Sequence, residues 1–246
     1  MPDPEDVAAL ELLAARTWRG LETDRLGDWL LRAGGGFTGR ANSVLVVGRP
    51  PGPLSAAVDA VTGWYAARGL RPRAQLPLPG GEEADAALAA AGWARDEDVL
   101  VLTAPLGALP GPAVPVDLLP EPDEAWLAGY RYRGAAVPPG AREVLLRADD
   151  PVFAAVRSAP APAPLDAVAR GAVADGYLVV TALTVAEHAR RRGLATAVTA
   201  ALGSWSAARG ATACLLQVAA GNAPALALYD RLGFTEHHRY HYRSAP

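Results

Sequence analysis

A loop of three consecutive arginines and a glycine is the stretch whose residue types most clearly suggest chemistry. It follows an apolar, β-branched run over residues 177–185, which indicates a buried strand, and it precedes helical spacing that continues to Arg209. The loop and helix start are Arg190, Arg191, Arg192, Gly193, Leu194, Ala195 and Thr196. Because the first N–H groups of a helix lack internal partners and carry partial positive charge, they suit an anion. We predict a pyrophosphate site here, with a solvated Arg-rich turn as the alternative.

A polar pair lies on the next predicted helix. After a predicted strand over residues 215–218, Asn222 opens a helix that ends at Gly233-Phe234. Asn222 and Tyr229 are seven residues apart, so they project from one helix face about 10 Å apart along its axis. A helix cap for Asn222 and core packing for Tyr229 are the structural alternatives.

Together the two motifs resemble those of the GCN5-related N-acetyltransferase (GNAT) family. The family signature Q/R-x-x-G-x-G/A is matched by Arg190, Gly193 and Ala195. The later family helix N-x-x-A-x-x-x-Y is matched by Asn222, Ala225 and Tyr229. The close match covers roughly residues 165–245. The resemblance implies an α/β (α+β) fold, with a mixed, mostly antiparallel sheet flanked by helices, and acetyl-CoA as cofactor.

The resemblance also implies roles for individual residues. In the family, a backbone N–H at a splay in the central strand polarises the thioester carbonyl, and the matching positions are Leu183, Thr184 and Val185. The family tyrosine, Tyr229 here, commonly donates a proton to the departing CoA thiolate, and it is the predicted catalytic residue. The predicted cofactor-binding residues are Leu183, Thr184, Val185, Arg190, Arg191, Arg192, Gly193, Leu194, Ala195, Thr196, Asn222, Ala225 and Tyr229.

The implied function is direct N-acetyl transfer from acetyl-CoA to a primary amine of a small molecule or peptide. Candidates for the acceptor pocket are Trp126, Tyr130 and Tyr132, because early helices cover that pocket in the family; aromatic core packing is the alternative. Candidates for the general base, none of them favoured, are Glu143, Asp175, Glu187 and His188. A non-catalytic acyl-CoA-binding regulatory or assembly module is the alternative function, and a nucleotide-binding protein is disfavoured because no P-loop lysine is present.

Composition narrows the partners and the chemistry. The net charge of -3 gives no general electrostatic case for nucleic acid or an anionic membrane, and all 23 basic residues are arginine, which excludes a lysine Schiff base. Cys214 is the only cysteine and lies in an apolar strand, so we expect a buried, inert thiol and a cytoplasmic protein. We also expect a monomer or a homodimer. His237 and His241 share a strand face that His238 does not, so no metal site is predicted.

An internal repeat is visible at an offset of 141 residues. Residues 64–69 match 205–210, and Gly80, Gly92 and Trp93 fall on Gly221, Gly233 and Phe234. We predict a degenerate GNAT-like domain over residues 1–104, a Pro-rich linker over 105–122 and an acetyl-CoA-binding catalytic domain over 123–246. Chance similarity between Ala-rich helices that end in glycine is the alternative.

The N-terminal counterpart of the arginine loop differs in chemistry. Residues 49–54 carry prolines at positions 50, 51 and 53, which have no N–H to offer a phosphate. The counterparts of Asn222 and Tyr229 are Gly81 and Leu88. We therefore predict that the N-terminal copy does not bind CoA.

Overall fold

The computed structural model describes residues 2–132, 134–158 and 163–246. Its contacts divide the chain into two compact units. The N-terminal unit comprises the residues up to Val101 together with Val218–Ala223 and Glu236–Pro246, and the C-terminal unit comprises Leu102–Gln217 and Pro224–Thr235. The sequence analysis placed residues 236–246 in the second domain, whereas in the structure they belong to the N-terminal unit.

The described chain alternates short strands with helices. The helices are α1 (Pro4–Thr17), α2 (Leu54–Ala66), α3 (Glu82–Ala90), α4 (Glu124–Gly129), α5 (Ala141–Leu145), α6 (Leu194–Ala207) and α7 (Ala223–Arg231), with 3₁₀ turns at Leu106–Ala108 and Glu187–Ala189. The strands are β1 (Glu22–Leu26), β2 (Trp29–Ala33), β3 (Val44–Leu45), β4 (Arg73–Leu78), β5 (Ala94–Arg95), β6 (Val99–Pro105), β7 (Asp117–Leu119), β8 (Arg131–Tyr132), β9 (Ala135–Ala136), β10 (Val152–Val156), β11 (Ala167–Ala174), β12 (Tyr177–Val185), β13 (Ala213–Ala219) and β14 (Thr235–Ser244). In the described part of the chain, no helix is long and apolar enough to cross a membrane.

The N-terminal unit is built on the strand order β1-β2-β3-β4-β14, with β5 also paired to β14. The β3–β4 pair is parallel and the other described pairs are antiparallel. The strand β4 is an inner strand, because β3 pairs along one side of it and β14 along the other. The helices α2 and α3 bury Val61, Tyr65 and Leu88 in a core that also holds Trp29 and Leu76.

The C-terminal unit is built on the strand order β7-β10-β11-β12-β13. The β12–β13 pair is parallel, whereas the other pairs are antiparallel. The strand β7 lies inside the predicted linker over residues 105–122, so part of that Pro-rich segment is sheet. Gly171 lets α6 approach the sheet closely, since a Cβ there would lie 3.0 Å from Leu202 Cδ2. The predicted mixed, mostly antiparallel sheets flanked by helices are confirmed.

The backbone repeats itself at the predicted offset. Gly52 and Gly193 both have φ of +77°, and Gly92 and Gly233 have φ of +81° and +80°. The helices α3 and α7 end in the same way, because the N–H of Trp93 donates to Leu88 O at 3.0 Å and the N–H of Phe234 donates to Tyr229 O at 3.0 Å. The parallel ladders also end at equivalent positions. The last registered pair of β3 and β4 is Leu45–Gln75, and that of β12 and β13 is Val180–Leu216, so Gln75 and Leu216 correspond at the repeat offset.

Histidines of β14 contact carboxylates on two helices of the N-terminal unit. Glu11 on α1 lies 3.1 Å from His238 Nε2, and its other carboxylate oxygen accepts a 2.8 Å hydrogen bond from Gln75 Nε2. Gln75 Oε1 in turn accepts from Arg32 Nη2 at 2.8 Å. On the opposite face of β14, His241 Nε2 lies 2.6 Å from Asp85 on α3. Each face of the last strand is thus paired with a different helix of this unit.

Candidate functional site

The C-terminal half of β12 contains a β-bulge against β11 and extends past its registered pairs with β13. Val168 pairs with Thr184 but Arg170 pairs with Thr181, so Ala182 and Leu183 together occupy the place of one residue. Ala182 accordingly has a left-handed φ of +53°. On the other side of β12 the last registered pair with β13 is at Val180, although β12 continues to Val185. The bulge and the end of the β13 ladder lie next to residues 183–185, whose predicted role toward a thioester carbonyl stays a prediction.

The arginine loop follows β12 after a single 3₁₀ turn. Arg190, Arg191 and Arg192 are all exposed, and Arg191 has a left-handed φ of +61°. Gly193 is the N-cap of the fourteen-residue helix α6, with no side-chain hydrogen bond to the cap and no acidic residue in the first turn. A Cβ added at Gly193 would meet no atom within 4 Å. The helix N-terminus is therefore open to an anion and surrounded by positive charge.

The remaining residues of this loop differ in exposure. Leu194 is buried and anchors the start of α6, whereas Ala195 and Thr196 are half-buried. The N–H of Ala197 donates to Gly193 O at 3.0 Å, which is the first helical hydrogen bond of α6. The N–H groups of the preceding residues are those that a helix leaves without intrahelical partners.

A carboxylate that the sequence analysis did not select holds this loop. Ser158 Oγ donates a hydrogen bond to Asp166, and His188 Nε2 lies 2.8 Å from Asp166 Oδ1. Arg192 Nη2 donates to Ser158 Oγ at 3.4 Å. The hydrogen bond from Ser158 lowers the pKa of Asp166, and His188 and Arg192 lower it further while burial opposes them. We call these four residues the Asp166 clasp.

The position of Asp166 follows from strand register. The N–H of Ala186 donates to Asp166 O at 2.8 Å, so the antiparallel pairing of β11 and β12 sets Asp166 beside the entrance of the arginine loop. A carboxylate one residue before a strand paired to β12 was the available sequence signal. Residues 159–162, which lie between Ser158 and Asp166 in the chain, are outside the described residues.

Tyr229 lies in a buried, apolar setting at the end of α7. The ring is 7% exposed and packs against Phe234 with ring centroids 5.5 Å apart. Burial raises the pKa of Tyr229 to about 12, so the phenol keeps its proton at neutral pH. Burial likewise raises the pKa of Cys214 to about 12, and this side chain is fully buried, as the sequence analysis expected.

The two other residues of the second motif flank the start of α7. Asn222 is exposed and immediately precedes the helix, and its N–H donates to Ala219 O at 2.9 Å. Asn222 falls in the segment Val218–Ala223, which clusters with the N-terminal unit, whereas Tyr229 belongs to the C-terminal unit. Ala225 is half-buried on the first turn of α7. The shared role of Asn222 and Tyr229 stays a prediction.

The three aromatic candidates for the acceptor pocket differ in burial. Trp126 is fully buried, donates from Nε1 to Ala154 O at 3.0 Å and packs edge-on against Phe153, which is a core environment. Tyr130 is also buried and lies 5.7 Å from the Trp126 ring. Tyr132 is half-buried in β8, and its neighbour Arg131 donates from its N–H to Thr184 Oγ1 at 3.3 Å. Tyr132 is thus the candidate next to the splayed part of β12.

The candidate bases are spread over the C-terminal unit. Asp175 lies in the turn between β11 and β12, so the nine residues of β12 separate it from the arginine loop by about 30 Å at roughly 3.3 Å per residue. Glu143 is exposed on α5 and Glu187 is exposed in the 3₁₀ turn. His188 is engaged by Asp166. No single base emerges from these four candidates.

Comparisons with known proteins find relatives that span nearly the whole chain. The family model described as "Probable histone acetyltransferase Rv0428c C-terminal" matches residues 5–243. The probable histone acetyltransferase Rv0428c of Mycobacterium tuberculosis is 33% identical over 256 residues, which cover 97% of this chain and 74% of that protein. The uncharacterized N-acetyltransferase YobR of Bacillus subtilis is 27% identical and covers 97% of this chain and 98% of its own length.

A solved structure shares the fold over the same extent. The GCN5-related N-acetyltransferase from Kribbella flavida superposes with a TM-score of 0.70 at 19% identity, and covers 98% of this chain and 95% of its own. At that identity the likeness concerns the fold alone.

Proposed function

Because the chain belongs to the family of the Rv0428c C-terminal region, within the GCN5-related N-acetyltransferases, we propose that it transfers an acetyl group from acetyl-CoA directly to a primary amine. The family makes it an acetyltransferase; the donor, the acceptor class and the direct route are the proposal. The acceptor is a small molecule or a peptide. The observation that carries the proposal is the uncapped N-terminus of α6 behind three exposed arginines.

The residues of the arginine loop fit the diphosphate of a CoA donor. The helix start presents N–H groups without side-chain caps, Gly193 leaves open space for close approach, and no carboxylate of the first turn opposes an anion. Arg190, Arg191 and Arg192 add three positive charges at the surface. The Asp166 clasp holds Arg192 through Ser158, and so fixes one end of the loop before the ligand binds.

The splayed half of β12 fits the acyl end of the donor. The bulge at Ala182–Leu183 interrupts the pairing with β11, which resumes at Thr184, and the registered pairs with β13 end at Val180. Residues 183–185 are half-buried. A backbone N–H in this stretch would polarise the carbonyl of the thioester, the activated group that acetyl-CoA supplies. Tyr132 borders the same stretch through the hydrogen bond of its neighbour Arg131 to Thr184.

Tyr229 would act as a hydrogen-bond donor to the departing sulfur. Its pKa of about 12 lies well above the reference thiol pKa of about 8.5, so complete proton transfer to the thiolate would be uphill by roughly 5 kcal/mol. A hydrogen bond from the neutral phenol carries no such cost, and it stabilises negative charge as it develops. The thiolate would then take its proton from solvent.

Two measurements on the full chain test the proposal. Calorimetric titration with acetyl-CoA should show saturable binding, and a thiol-reactive dye should report CoA release when a panel of primary amines is added. Tyr229→Phe should leave the dissociation constant within about twofold and lower kcat by about ten- to a hundredfold, because one donor to the leaving group is lost. Phe at this site keeps the ring that packs on Phe234.

The possible results separate the functions. Saturable binding without thiol release for any amine would favour the non-catalytic acyl-CoA-binding module. Absence of saturation at millimolar acetyl-CoA would overturn the assignment of the arginine loop. An equal loss of affinity and of kcat in Tyr229→Phe would contradict the role given to this side chain.

A further inference from the structure

A cleft of about 770 Å³ opens within the N-terminal unit. Pockets of about 300–1,000 Å³ hold drug-sized ligands in proteins. The cleft lies beyond the last registered pair of the parallel β3–β4 ladder, since Val46 and Val47 line one side and Pro77 and Pro79 line another. The N-terminal unit thus keeps an opening between its two parallel strands.

The floor of this cleft is apolar and the rim is acidic. Val7, Trp29, Val46 and Ala84 are buried lining residues. The charged lining residues are Glu5, Arg49, Glu82 and Glu83, all of them exposed, so the rim carries a formal charge of -2.

The rim differs in sign from the equivalent positions of the C-terminal unit. The loop over residues 49–54 has one arginine where residues 190–195 have three. The first turn of α3 carries Glu82 and Glu83, whereas the first turn of α7 has no acidic residue. A diphosphate in the N-terminal cleft would therefore face net negative charge and a proline-rich loop.

Some acidic residues at and near the rim already have hydrogen-bond or ion-pair partners, and others do not. Glu82 Oε2 accepts a hydrogen bond from the N–H of Gly80 at 2.8 Å, so this N–H is not available to an anion at the rim of the cleft. Asp85, the other acidic residue of the α3 first turn, is held by His241 and Arg243. Among the residues that the structure describes, Glu5 and Glu83 have no ion pair or side-chain hydrogen bond. These two carboxylates are available to an arriving cation.

We propose that the cleft of the N-terminal unit binds a small organic ammonium compound whose apolar body lies on the floor between β3, β4 and α1. Its charge would be held by the free carboxylates of Glu5 and Glu83. Trp29, one of the lining residues, has a buried indole N–H without an acceptor in the described part of the chain. The volume, the buried apolar lining and the charge of the rim together define this class of ligand.

Three probes of nearly equal shape test the charge preference. Phenethylamine, phenethyl alcohol and phenylacetate share an aromatic body and differ in charge. In calorimetric titration of the full chain without acetyl-CoA, phenethylamine should bind at one saturable site. The alcohol should bind more weakly by about three- to fivefold, as expected for exposed ion pairs, and the acid more weakly still.

Variants locate the site. Glu83→Gln should weaken phenethylamine binding by about two- to fivefold. Asp59→Asn, which removes one exposed charge from α2 of the same unit, should not change it. Ala8→Phe places a ring on the cleft wall and should abolish binding, with thermal melting as the check on folding. Gly193→Asp should leave amine binding unchanged even if it abolishes acetyl-CoA binding, so the failure of this proposal is distinct from that of the acetyltransferase mechanism.

Each contrary result overturns the proposal. Equal affinity for the three probes would show that the rim does not select a cation. Binding that survives both Ala8→Phe and Glu83→Gln lies elsewhere, including at the acceptor side of the C-terminal unit. Lack of saturation at millimolar phenethylamine would remove the site altogether.

Discussion

Gly193 and Gly52 form a matched pair for testing the diphosphate site. Both have φ of +77°, both are exposed, and a Cβ at either would meet no atom within 4 Å. Replacing either by aspartate therefore imposes the same left-handed strain and the same added charge. Only Gly193 begins a helix behind three arginines. The pair separates the effect on a ligand from the effect on folding.

The expected magnitude follows from strain and from charge. A non-glycine residue in the left-handed region costs about 1–2 kcal/mol, which for a chain of this size lowers Tm by about 2–8 °C in both variants. A carboxylate roughly 5 Å from one phosphate charge is opposed by about 0.8 kcal/mol at the dielectric of water and about 3 kcal/mol at an effective dielectric near 20. These energies correspond to about fourfold and about 150-fold weaker binding of acetyl-CoA.

Calorimetric titration with acetyl-CoA and a thermal melt of each variant give both quantities. Gly193→Asp should lose affinity by the stated factor, and Gly193→Asn, which has the same shape without the charge, should lose less. The difference between these two variants should shrink as salt is added, because exposed charges are screened. Gly52→Asp should match the Tm change of Gly193→Asp and leave acetyl-CoA affinity unchanged.

Two results would refute the reasoning. If Gly52→Asp weakened acetyl-CoA binding as much as Gly193→Asp, the N-terminal loop would take part in donor binding and its prolines would not disqualify it. If Gly193→Asn and Gly193→Asp lost equal affinity at every salt concentration, backbone strain rather than phosphate charge would account for the effect.

Further predictions concern protons and buried pairs. The Asp166→Asn variant should weaken acetyl-CoA binding by about twofold to fivefold in calorimetry, because the clasp on Arg192 loses its charge; unchanged affinity would show that the loop is ordered without it. Although burial opposes the shift, Arg243 and His241 lower the pKa of Asp85, so its stabilising effect is present above the unfolded value of about 3.9 and is lost as pH falls through the folded pKa. Urea unfolding of Asp85→Asn should therefore depend less on pH in the acid range than that of the wild type. Glu11→Ala should lower the free energy of unfolding by about 1–3 kcal/mol, since it leaves the side-chain nitrogens of His238 and Gln75 buried without this acceptor, and Glu11→Gln should cost less. Because the pKa of Tyr229 is raised to about 12, kcat should not fall between about pH 8 and pH 10 through loss of its proton; a descending limb there that Tyr229→Phe removes would contradict this.

Local chemistry in the sequence was sufficient for the motifs and for the repeat. A glycine after three arginines and before a helix specifies a helix start with exposed N–H groups, because these properties depend on residues adjacent in the chain. The repeated glycines at helix ends were likewise visible as spacing, and the structure gives Gly92 and Gly233 nearly equal φ values. Buried strands such as β12 followed from runs of β-branched residues.

The tertiary structure decided which distant residues meet. From its position in the chain, β14 was predicted to belong to the C-terminal domain. Its pairing with β4 and its contacts to Glu11 and Asp85 assign it to the N-terminal unit. Trp126 was a candidate pocket residue because early helices cover that pocket in the family, with core packing as the alternative. In the structure it is buried and packs against Phe153.

The same distinction applies to the candidate sites. The Asp166 clasp and the N-terminal cleft are absent from any sequence motif, because each joins residues from separate strands and helices. Local hydrogen bonding and helix propensity depend on residues only a few positions apart. The sequence therefore determined the features that they control, such as where helices begin and end. Strand pairing and side-chain packing act between segments far apart in the chain, so only the folded chain fixed the partners of Asp166, Glu11 and Asp85.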